Sequence, residues 1–177
     1  MGSYDLIRFT KYSVVSMSAN YDKAFSLVVS AEGGYNNNPN DPGGETNFGI
    51  SKRQYPDVDI KNLTLAGAKD IYQRDYWNAV RGDILPWPLC ALVFDCAVNQ
   101  GCDASASFAA QKMLQNAFKL TPDGVIGPAT LEAVGRSGPF QEAKFMSLRA
   151  IRYMETNNFD TFGQGWLIRL FTLSMEV

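Results

Sequence analysis

Glu32, Asp41 and Thr46 have the side-chain types, and the order along the chain, that acid–base cleavage of a glycosidic bond requires. Phe25, Val28, Val29 and Glu32 recur at i, i+3, i+4 and i+7, which is one face of a helix that ends at the glutamate. At a helix C-terminus the macrodipole opposes an anion by about 0.3–1 kcal/mol. Desolvation by the apolar neighbours adds to this. Both effects raise a carboxyl pKa towards the range a general acid needs at neutral pH. Asp41 lies nine positions on and Thr46 five beyond that, on opposite sides of a turn. A hairpin starting directly after Glu32 brings both to the mouth of a cleft beside the helix end. One semi-buried carboxyl group, one carboxylate on a polar loop and a hydroxyl that orients water then stand together. Each residue alone has a plainer explanation: a glutamate bending to solvent from a frayed end, an aspartate serving a turn, a threonine in a strand. The trio in this order is harder to dismiss.

The rest of the composition narrows the chemistry. The chain has 177 residues and no histidine. Ser-His-Asp and Cys-His nucleophiles are therefore excluded, as are histidine-ligated zinc sites. Cys90, Cys96 and Cys102 fall at six-residue steps that match no CxxC pattern, and their odd number argues against a disulfide framework. They read as free, buried thiols, without an imidazole to make a peptidase of any of them. The chemistry on carboxylates calls for no metal and no cofactor. Net charge is −2, and charged residues at 19% fall below the usual share of roughly 25%. No basic stripe marks a nucleic-acid partner, and no apolar stretch is long enough for stable membrane insertion. The core of Arg8–Ala19 is too short and polar for a signal peptide, and Leu6 stands where a myristoylation signal has Ser or Thr.

The elements that must position the trio follow from hydrophobic periodicity and turn chemistry. Residues 1–20 lack a clear period and read as an arm, and the helical pattern begins at Tyr21 and runs to Glu32, where Gly33-Gly34 stops it. Asp41-Pro42-Gly43-Gly44 fits a type II turn, with 46–50 returning as the second arm of a hairpin. Thr64 is an N-cap for a helix through Ala68, Ile71 and Tyr72 to Trp77. An apolar helix from Leu89 to Asn99 has no polar face and belongs at the centre of the fold. Further helices are expected over Ala104–Phe118, to Val134, from Pro139 to about Asn157, and over Phe159–Arg169. The result is a mainly α chain with a small β-hairpin.

Several strings resemble one family. Glu32-Gly33-Gly34-Tyr35 followed by Asp41-Pro42-Gly43-Gly44-Glu45-Thr46-Asn47-Phe48-Gly49-Ile50-Ser51 is similar to the signature of glycoside hydrolase family 108, the lysozymes (N-acetylmuramidases) of phages and bacteria. The resemblance continues through Ile71-Tyr72 with Tyr76-Trp77, Val93-Phe94-Asp95, Ala97-Val98-Asn99 and Gly101. Asp123-Gly124-Val125-Ile126-Gly127-Pro128 with Thr130, and Gly165-Trp166-Leu167 with Arg169, resemble the peptidoglycan-binding region that accompanies the family. Asn36-Asn37-Asn38 is a departure from the pattern.

The resemblance implies a lysozyme-like α+β fold with the hairpin next to the catalytic helix and Glu32 as catalytic acid. By looser analogy with a related type of phage lysozyme, Asp41 stabilises positive charge or positions water, and Thr46 holds it. One unit over 21–177 is expected, with a catalytic part at about 21–103 and a binding-like helical part at about 104–170. The expected partner is bacterial peptidoglycan, met by a monomer that is made in the host cytoplasm and acts in the periplasm or cell wall after release. Tyr35 and Phe48 flank the expected cleft and offer ring faces to sugars, and Asn99 is placed to hydrogen-bond an N-acetyl group. A lytic transglycosylase and a non-catalytic wall-binding protein of the same fold are the rival readings.

Overall fold

The computed structural model describes residues 12–29, 34–37 and 44–177. Glu32 and Asp41 lie outside the described residues. The chain is mainly helical with one small antiparallel sheet, as expected. Helix α1 (Tyr12–Val28) is followed by strands β1 (Thr46–Asn47) and β2 (Ile50–Ser51). Helices α2 (Leu65–Tyr72), α3 (Leu89–Gln100), α4 (Ala109–Ala117), α5 (Pro128–Val134), α6 (Pro139–Met154) and α7 (Phe159–Glu176) complete the order.

The apolar helix α3 sits at the centre, buried along nearly its whole length, with α1 on one side and α4 and α6 on the other. Around it Tyr21, Tyr72, Trp77 and Phe94 form an aromatic cluster. Trp77 meets Phe94 edge-on at 5.4 Å and is fully buried, with its indole N–H donating to Asp83 Oδ1 at 2.8 Å. The three cysteines are buried and free, as the sequence suggested. Burial pushes the thiols of Cys90 and Cys102 up to about 11 and that of Cys96 up to about 12, so none is a thiolate at neutral pH.

Several boundaries differ from expectation for physical reasons. Helix α1 ends at Val28, with Val29 already outside it, rather than running on to Glu32. Helix α1 begins at Tyr12, inside the stretch read as an arm. No Pro or Gly interrupts Tyr12–Val28, so the turns that dock through Ala24, Phe25 and Val28 extend back through it. Helix α4 starts at Ala109 rather than Ala104. The Asp103 carboxylate accepts from Ser105 Oγ at 2.6 Å and from the Ala106 N–H at 3.0 Å, and this local turn displaces a first helical turn. Helix α7 continues past Arg169 to Glu176, burying Leu170 and Leu173.

The expected second arm over 46–50 is instead a hairpin in itself. Thr46 pairs with Ser51 and Asn47 with Ile50, around a two-residue turn at Phe48-Gly49. Both turn residues are left-handed, with φ of 50° and 76°. The first arm contributes one bridge, Asn36 to Thr46.

Candidate active site

The end of α1 is held by charge. The carbonyl of Val28, four positions before Glu32, accepts from Arg169 Nη2 at 2.9 Å. The same guanidinium reaches Asp95 Oδ1 at 2.6 Å, and the other carboxylate oxygen of Asp95 takes Arg149 at 2.5 Å. A helix C-terminus with orphaned carbonyls is thus capped by a cation fixed to α3. Asp95 and Arg169 belong to the strings carrying the family resemblance, yet nothing in their local sequence reveals this role.

The hairpin is fixed to the helical body at two points. Asn47, buried, donates its side-chain amide to the carbonyls of Ile60 and Leu63 at 3.1 and 3.3 Å. The Tyr72 hydroxyl donates to the carbonyl of Phe48 at 3.2 Å. A Cβ on Gly49 would come within 2.7 Å of that hydroxyl, so both its φ and its close approach require glycine.

The sequence-derived site residues are distributed over this frame. Thr46 is half-buried in β1, and its Oγ1 donates a long bond of 3.4 Å to the Gly44 carbonyl. Asn36 and Thr46 exchange both backbone hydrogen bonds at 2.8 Å. Tyr35 is exposed and its hydroxyl donates to Glu45 Oε1 at 3.0 Å. Phe48 is half-buried and packs against the core. Asn99 donates its amide to the Asp95 carbonyl at 2.8 Å and to Asp95 Oδ1 at 3.2 Å.

A polar cleft of about 610 Å³ is lined by Gln54, Tyr55, Arg74, Asp75, Tyr76 and the loop after α3. Its floor is a π-helical turn, Gln73–Trp77, that extends α2. Such turns add a residue to the helical repeat and recur at functional sites. Here the turn sets Asp75 and Tyr76 in the cleft while Trp77 stays in the core. Tyr55 donates to Asp75 Oδ2 at 3.0 Å, and Gln54 Nε2 donates to the Tyr76 hydroxyl at 2.6 Å. Arg74 holds Asp75 through two bonds of 2.6 and 2.7 Å, which keeps that carboxyl below its usual pKa. Asp75 is therefore ionised and accepts protons poorly. An apolar groove of equal volume between α6 and α7 has no ionisable side chain in its lining other than Glu142. Among the described residues, no three His, Cys, Asp or Glu side chains gather where they could hold a metal ion. No helix among them is long and apolar enough to cross a membrane.

Sequence reasoning missed Tyr55, Asp75 and Tyr76 as cleft residues. The expected helix through Trp77 was read with a 3.6-residue period, which the π turn breaks.

Comparison with known proteins agrees with this architecture. A family model described as Glycosyl hydrolase 108 matches residues 25–101, a span that takes in the hairpin, the π turn and α3. No curated protein matches the chain in sequence. Among solved structures, SagA of Brucella abortus is similar, with a TM-score of 0.76 and 34% identity over 90% of this chain and 94% of that one. With the family model matched over residues 25–101 and a 34% identical relative matched over nearly its full length, the chain belongs to the glycosyl hydrolase 108 family and is a glycoside hydrolase.

Proposed function

We propose that this glycoside hydrolase cleaves peptidoglycan at the β-1,4 bond between N-acetylmuramic acid and N-acetylglucosamine, with Glu32 as general acid. The observation that carries this reading is the family membership of a chain whose α1 is clamped at Val28, just before Glu32. Fixing the last helical turn fixes where the following residues start, and a general acid must meet the leaving oxygen within hydrogen-bond reach. Glu32 protonates that oxygen while positive charge develops on the sugar. Asp41, which lies in sequence between the paired residues Asn36 and Thr46, stabilises that charge or positions the water, and Thr46 holds the water. Tyr35 and Phe48 offer ring faces to the glycan, and Asn99 presents its amide oxygen to an N-acetyl N–H. The helices over 104–170 serve wall recognition within the same monomeric unit, which works in the periplasm or cell wall after synthesis in the cytoplasm.

Replacing Glu32 with Gln should slow lysis of purified cell walls by about 10²–10⁴-fold, the usual worth of a general acid, with unfolding temperature unchanged. Retained lysis would remove Glu32 from the mechanism. Mass spectrometry of the wild-type digest should show products that have gained water. Anhydro-muramoyl products instead would assign a transglycosylase.

A further inference from the structure

We propose that the cleft between Tyr55, Tyr76 and the loop after α3 is a distinct sugar-binding subsite, built for one neutral N-acetylated hexosamine ring of a glycan strand. The proposal rests on the glycan substrate of the preceding reading but uses none of its catalytic residues. The cleft is linked to the hairpin through Tyr72. Tyr72, whose hydroxyl holds the Phe48 carbonyl, packs on Tyr76 with ring centroids 5.5 Å apart at 34°, so phenol rings run from the turn into the cleft.

Its polar atoms suit a sugar. Asp75 presents an ionised acceptor, Gln54 an amide, and Tyr55 and Tyr76 hydroxyls that share a contact of 3.5 Å. Burial, then the bonds and charges of Tyr76 and Asp75, push the Tyr55 pKa far up, so its proton stays available to donate. Adjacent sugar hydroxyls are donors and acceptors in pairs, and mixed carboxylate, amide and phenol groups satisfy both roles. Val98 and Ala106 add small apolar surface that fits an acetyl methyl group. The volume of about 610 Å³ lies within the usual range for small-ligand sites.

Charge selects against the other part of peptidoglycan. Two carboxylates, Asp75 and Asp103, face one guanidinium, Arg74, and hydrogen bonds from Ser105 and the Ala106 N–H hold the Asp103 carboxyl low. A lining with net negative charge repels an anionic stem peptide and accepts an uncharged ring.

The test titrates the Glu32→Gln chain with chitotetraose and follows backbone amide resonances. Shifts at Tyr55, Tyr76, Val98 and Ser105 are expected. Adding Tyr76→Phe, which keeps the ring and removes one hydroxyl, should weaken binding about three- to tenfold, as should Asp75→Asn. In the active chain, Tyr76→Phe should raise KM on soluble glycan strands several-fold and alter kcat less. Saturation without shifts at these amides overturns the subsite. Unchanged affinity in both variants, or shifts from a free stem tetrapeptide and none from chitotetraose, does so equally. Wall lysis surviving Glu32→Gln would overturn the catalytic assignment alone, because the subsite is judged on binding.

Discussion

Two arginine–aspartate pairs in this chain do opposite work. Arg149 and Asp95 meet at 2.5 Å with side chains 0% and 1% exposed. Arg74 and Asp75 meet at a similar 2.6 Å, but with 64% and 30% exposure. The buried pair has lost its water and survives because every group is partnered. Arg149 also donates to Gln100 Oε1 at 3.0 Å, and Asp95 also receives Arg169. This network ties α3 to α6 and α7 and reaches the end of α1 through Val28. The open pair is screened by solvent and contributes little to folding, which leaves its carboxylate for a ligand. Burial, more than the identity of the ions, divides a structural pair from a binding one.

The sharpest way to break this contrast is Arg149→Met. It leaves Asp95 buried with the partly exposed Arg169 as its one remaining cationic partner, and removing one partner of a buried pair costs about 3–5 kcal/mol. The melting temperature should fall by roughly 10 °C, given about 2–4 °C per kcal/mol for a chain of this size. Pairing it with Asp95→Leu should recover part of the loss, since no buried carboxylate then remains. A single Arg149→Met variant that melts with the wild type would make the buried pair no more structural than the open one.

The hairpin lies between these extremes, and it also marks how far the sequence could be read. Thr64 was legible as a cap because its role is local, and it accepts from the Gly67 N–H at 3.1 Å. Helix α3 was legible because an all-round apolar run has one sensible place. Glu32, Asp41 and Thr46 are read from the sequence only as types in an order, and of the three Thr46 alone lies among the described residues. The turn at Phe48 was not legible. A bulky residue in the left-handed region costs about 1–2 kcal/mol, and the compensating bond comes from Tyr72, 24 positions away. Asp95 and Arg149 are 54 positions apart, and no local pattern predicts that two opposite charges will be buried together. Gly49→Ala tests the turn directly. It places a Cβ against the Tyr72 hydroxyl at a φ of 76° and should cost about 1–3 kcal/mol in thermal unfolding. Adding Tyr72→Phe should relieve the contact and leave the backbone penalty, giving partial recovery. Full recovery would mean that contact alone makes glycine necessary.

The smallest effect is expected at the open pair. Arg74→Met should cost less than about 1 kcal/mol at neutral pH, because both ions are substantially hydrated. Its pH dependence is more informative than its size. The hydrogen bond from Arg74 is the main reason the Asp75 pKa lies below the usual carboxylate range. A carboxylate with a depressed folded-state pKa contributes stability above its unfolded value and loses it as pH falls through the folded one. The wild-type advantage over Arg74→Met should therefore be complete above about pH 5 and decline as pH falls through the lowered folded-state pKa, when followed by urea unfolding across the acid range. A difference that stays constant over the same range would assign Arg74 to packing of its aliphatic stem, since only the ionic contribution disappears when Asp75 is protonated.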